Sequence, residues 1–124
     1  MNLIWGYMDF HQVSVDFDRF NRFENLRCSD FARVSQYVEA FGQSYLRLQR
    51  RALAPAPYLA ALRLLNQIGI QYPLLRDGAI AEMERERMCA TAFSLRQLWR
   101  TVEFLVQQLR NYEAAGSQNR PGGI

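Results

Sequence analysis

Residues 31–52, FARVSQYVEAFGQSYLRLQRRA, put Phe31, Val34, Val38, Phe41, Tyr45, Leu48 and Ala52 at alternating spacings of three and four, the period of one face of an α-helix. The spacing predicts one amphipathic helix of about six turns, with Ser29 or Asp30 as its N-cap. It should stop before Pro55, because proline disfavours helical geometry in the residue ahead of it. The opposite face carries Arg33, Gln36, Gln43, Arg47 and Arg50.

Downstream, a shorter helix is predicted with Pro57 near its first position, Arg63 exposed, Leu59, Leu62, Leu65 and Ile68 buried, and Gly69 at its end. A third should begin after Asp77-Gly78 and run through Ile80, Met83 and Met88 towards Thr91. The fourth is announced by a capping box: Ser94 and Gln97 have the S-x-x-Q spacing, and Phe93 can staple against Leu98. Leu95, Leu98, Val102, Leu105, Leu109 and Tyr112 continue its stripe, Trp99 and Val106 broaden it, and Gly116 lies where a helix would stop. The three/four spacing can also be threaded from Met88 through Ala92 to Leu95, so one long helix from about Ala79 to Ala114 stays open beside a break at Ser94.

Upstream lies a segment dense in aromatics: Trp5, Tyr7, Phe10, Phe17, Phe20 and Phe23. Between His11 and Asp18 apolar and polar residues alternate, which is strand periodicity; Val13, Phe17, Phe20 and Glu24 also fit a helix. An extended start followed by a short helix from about Asp16 is expected. The fold class is then mainly α, a small bundle of about four principal helices with an irregular or short-stranded N-terminal segment. The expected division is one domain over 1–115, with an aromatic segment at 1–27, helices at 29–114 and a flexible tail at 116–124. A chain of 124 residues is long enough for one core.

The cations are uneven in kind and place. All fifteen are arginines, which stay protonated and fork onto carboxylates and phosphates, so Schiff-base, P-loop-lysine and lysine-base chemistry are excluded. Residues 1–45 hold four arginines against six acids, whereas from Ala40 to Arg76 there is no acid at all. A nucleic-acid partner, RNA or single-stranded DNA, would therefore meet Arg47, Arg50, Arg51 and Arg63, contacting phosphates without sequence preference.

Catalytic and metal patterns are sparse. His11 is the single histidine, Cys28 and Cys89 are too few and too distant for a disulfide framework or zinc knuckle, and no glycine-rich phosphate loop is present. No cofactor, no metal and no enzymatic activity is expected; a hydrolase with an unrecognised site is the remote alternative. No run reaches the ~18 apolar residues of a membrane span, and Met1–Phe10 carries Asp9 without a basic n-region, so a cytoplasmic protein is expected. The composition points instead to binding: a non-catalytic subunit or adaptor, or an inhibitor by occlusion, that meets a protein partner or its own copies through Trp5, Tyr7, Phe10 and Trp99. Tryptophan, tyrosine and arginine are the usual interface anchors.

Overall fold

The computed structural model describes the backbone of residues 2–86 and 92–118 and the side chains of residues 12–86 and 92–115. The protein is mainly helical. Among the described residues there are five α-helices and no strand: α1 (Asn2–Glu24), α2 (Val34–Arg50), α3 (Pro57–Ile68), α4 (Pro73–Arg85) and α5 (Leu95–Gln118).

The extended or short-stranded start expected ahead of the helix from about Asp16 is replaced by α1, a helix of 23 residues, or ~35 Å. A lone extended segment would leave its backbone groups without a partner strand, whereas a helix satisfies them internally. The Val13–Phe17–Phe20 spacing was the stronger signal.

α2 starts later than its apolar stripe suggests. Cys28–Asp30 form a 3-10 turn and Phe31 is extended at φ −122° and ψ 147°, because the Cys28 N–H donates to the Gln67 side chain at 2.9 Å and fixes the turn against α3. Neither Ser29 nor Asp30 caps the helix. Arg33 stands at the N-cap, where its N–H donates to the side-chain Oε1 of Gln36 at 3.2 Å.

The other end of α2 closes before proline acts. Ala52 has φ 59°, the Leu53 N–H reaches the Leu48 carbonyl at 2.8 Å and the Ala52 N–H the Gln49 carbonyl at 3.0 Å, which is the Schellman pattern with alanine at the position glycine prefers. A left-handed alanine is strained. Ala52→Gly should therefore stabilise the protein by about 1 kcal/mol; a thermal melt that rises by a few degrees checks it, and an unchanged or lower midpoint contradicts it.

α3 has the expected bounds and a different inner face. Ala60, Ala61, Leu64, Leu65 and Ile68 are buried while Leu59 and Leu62 are exposed. Leucines nearly encircle this helix, and its two alanines let the backbone approach the core closely. Gly69 ends α3 at φ −60°, so left-handed freedom is not its role; a Cβ there would lie 2.5 Å from Arg76 Cδ, whose side chain crosses it.

α4 begins at Pro73, not after Gly78, since proline suits a first helical position. Asp77-Gly78 lies inside the helix, and the predicted residues Met88 and Thr91 fall outside the described ones. Of the two readings left open, α5 follows the break at Ser94: the Ser94 N–H donates to Gln97 Oε1 at 2.6 Å and the Gln97 N–H to Ser94 Oγ at 3.2 Å, with Phe93 and Leu98 both buried. The helix then passes through Gly116 to Gln118, past its expected stop.

α2 and α5 are antiparallel at the centre. Glu113 meets Ser35 at one end, and Trp99 stands edge-on to Tyr45 at the other, ring centres 5.9 Å apart. α3 covers them with Leu64, Leu65 and Ile68, and α1 docks through Phe23 onto Phe41 and Tyr45 at 5.2 and 6.1 Å. No helix of the described residues is long and apolar enough to cross a membrane.

Candidate protein-binding groove

α4 packs on α3 and leaves an open trough towards α5. Leu75, Ala79 and Met83 recur at four-residue spacing along α4 and are buried at its floor. Tyr72, just before α4, stacks on Tyr112 near the end of α5, ring centres 5.8 Å apart, and the chain returns from Arg85 to Leu95, so the two walls run antiparallel. The trough holds about 600 Å³.

Its two ends differ in chemistry. Leu74, Leu75, Phe104 and Tyr112 line the end near the start of α4, and Glu82, Glu86, Gln97 and Arg100 line the other. Leu74 is 84% exposed and Phe104 50%, which places large apolar surface in water beside a preformed concavity. Glu82 bonds to Arg85 on its own helix, whereas no ion pair of Glu86 or Arg100 is found among the described residues. Thr101 donates its hydroxyl to the Gln97 carbonyl at 2.9 Å, which satisfies that wall internally. Gly78 adds no bulk, and a Cβ there would meet nothing within 4 Å.

The residues singled out in the sequence fall elsewhere. Trp99 is half-buried in a second trough between α2 and α5, of about 670 Å³, where its Cζ3 would sit 3.4 Å from a Cβ on Gly42. It packs the two central helices together, and Glu39 paired with Arg110 lines the same trough. The side chains of Trp5, Tyr7, Phe10 and His11 lie outside the described residues.

The four arginines of the acid-free stretch separate into two pairs. Arg47 and Arg50 are exposed at the C-terminal end of α2, with no ion pair among the described residues. Arg51 is held by Asp16 through Nε at 3.1 Å and a terminal nitrogen at 3.2 Å, and this bond keeps the Asp16 carboxyl below its ordinary range. Arg63 bonds Glu24 at 2.9 Å with its guanidinium 5.5 Å above the Phe23 ring. Arg51 and Arg63 therefore anchor α1 to the body. Cys28 is buried, which pushes its thiol up and disfavours the reactive thiolate; Cys89 lies outside the described residues.

The sequence pattern does not mark the groove residues, for a physical reason. Leu74-Leu75 reads as the approach to a helix when that helix is started after Gly78. Phe104 lies off the Leu98–Val102–Leu105 stripe, and an aromatic on an otherwise polar face was the available signal. Comparison of the chain with protein-family models, with curated proteins and with solved structures finds no match.

Proposed function

We propose that this protein is a non-catalytic helical adaptor that takes up an amphipathic helix of another protein in the trough between α4 and α5. The observation that carries the reading is the exposure of Leu74 and Phe104, 84% and 50%, on the lining of an apolar trough. Two antiparallel helices that stand apart present the shape into which a third helix lays its apolar face. The occupant's chemistry follows from the two ends: large apolar side chains at i, i+4 and i+7 for Leu74, Phe104 and Met83, then a cation facing Glu86 and a carboxylate facing Arg100.

Selection from a displayed library of helical peptides tests this, followed by anisotropy titration of an enriched, labelled peptide. Enriched sequences should share that pattern, and Leu74→Asp combined with Phe104→Asp should weaken them at least about 30-fold, the scale of a hot-spot loss, without lowering the melting temperature. No enrichment, or equal binding by the double variant, overturns the reading. So does salt-sensitive binding of a single-stranded oligonucleotide, lost in Arg47→Glu with Arg50→Glu, in place of peptide uptake, since it would assign function to the arginine face.

A further inference from the structure

The trough between α2 and α5 lies on the opposite flank of α5 from the first and shares no lining residue with it. Its shape comes from the packing of the two central helices. Gly42 is buried and leaves room for the Trp99 indole, whose Cζ3 would stand 3.4 Å from a Cβ there. Tyr45, also buried, meets the same indole nearly at right angles, with 81° between the ring planes. Trp99 is thus pinned from α2 yet only half-buried, which leaves part of its ring to the trough. Leu46, Val102 and Val106 supply the rest of the apolar lining.

One residue decides the charge of this lining. Glu39 and Arg110 line the trough as a bonded pair from opposite walls and neutralise each other. Glu103 lines it too and is exposed, and no ion pair of Glu103 is found among the described residues. It follows Trp99 by four positions in α5, so the two lie on one face of the helix with Cβ atoms roughly 6 Å apart. An indole beside an uncompensated carboxylate draws a cation to its ring and holds it by charge. Gln43 from α2 and Gln107 from α5 line the trough as well, both exposed, and each offers an amide oxygen that accepts a further N–H.

We propose that this trough receives an arginine side chain of a partner protein. The guanidinium stacks on Trp99 and forks onto Glu103, its remaining donors reach Gln43 and Gln107, and Leu46 and Val102 cover its aliphatic stem. Arginine fits better than lysine, because its plane stacks on an indole and its five donors suit one carboxylate and two amides. An acidic or phosphate-bearing group fits poorly: the one guanidinium of the lining is held by Glu39, and Glu103 would repel an incoming anion. The site does not depend on the α4–α5 trough.

Titration of the isotope-labelled full chain at low salt with a capped glycine–serine peptide carrying arginine at every third position tests the proposal. The Trp99 indole N–H and the amides of 42–46 and 99–107 should shift. The same peptide with citrulline, neutral and nearly the same shape, in place of each arginine should bind at least about tenfold more weakly, the scale of one charge-assisted bond. Glu103→Gln should cause a similar loss with the melting temperature unchanged, and Leu74→Asp with Phe104→Asp should leave binding intact. Absence of shifts at millimolar peptide overturns the proposal, as does equal binding by the citrulline peptide or by Glu103→Gln. Shifts confined to 74–86 would give the cation to Glu86 of the other trough. Tighter binding of a single-stranded oligonucleotide that shifts the Trp99 indole would make the ring a base-stacking surface; either result also overturns it.

Discussion

Phe23→Ala is expected to cost about 3–5 kcal/mol, the range for truncating a fully buried aromatic, and to release α1 from the body. Phe23 has no exposed surface and touches both faces of its environment: Phe41 and Tyr45 lie beneath it at 5.2 and 6.1 Å, and the Arg63 guanidinium lies above it at 5.5 Å. Removing the ring empties the slot between α1 and α2 and takes the surface from under a cation whose other contact is Glu24. The Asp16–Arg51 and Glu24–Arg63 pairs are partly exposed and cannot hold the helix alone. Urea denaturation should show a lower midpoint, and amide exchange should show residues 12–22 losing protection before α2, α3 and α5 do. A stability change under 1 kcal/mol would mean that α1 is not docked through Phe23.

The second large effect is expected at the opposite end of α2. Glu113 on α5 accepts the Ser35 hydroxyl at 2.7 Å and the Ser35 N–H at 3.2 Å, so a carboxylate from another helix caps the N-terminal amides of α2 where the helix dipole favours negative charge. Ser35 is buried, and without the carboxylate its donors would be left unpaired. Glu113→Ala should cost about 2–3 kcal/mol, in line with the loss of charge-assisted bonds to buried donors. Glu113→Gln keeps an acceptor and should cost less. Ser35→Ala removes one donor of the pair, and a double-mutant cycle with Glu113→Ala should return a coupling of about 1 kcal/mol or more. Additive effects would show that the contact contributes little to the α2–α5 joint.

These two sites show what a one-dimensional pattern carries. The capping box at Ser94 and Gln97 uses residues three positions apart, and it was legible. So was the α2 stripe from Val34 to Leu48, whose period marks a face wherever the helix is placed. The start of α2 was not, because its turn is fixed by Gln67, thirty-nine positions away. Nor was the inward face of α3, where leucines nearly encircle the helix and only its neighbours decide which are covered. Asp77-Gly78 has the composition of a turn, yet Pro73 starts the helix a turn earlier and tertiary packing outweighs glycine's modest penalty. The split of the arginine set was hidden for the same reason: a helix from about Asp16 does not say what it packs on, and only the docking of α1 on the body brings Asp16 to Arg51 and Glu24 to Arg63. The groove is the extreme case, since it consists of the space between two helices.

The central claim is that the trough between α4 and α5 is where this protein meets its partner. Titrating an enriched helical peptide into isotope-labelled protein, and following every amide resonance, tests it most directly. Shifts should concentrate at 74–86 and 97–112, with Leu74, Met83 and Phe104 moving most and α2 unaffected over 34–50. Shifts centred on Arg47 and Arg50, or on 12–24 with the trough silent, would contradict it.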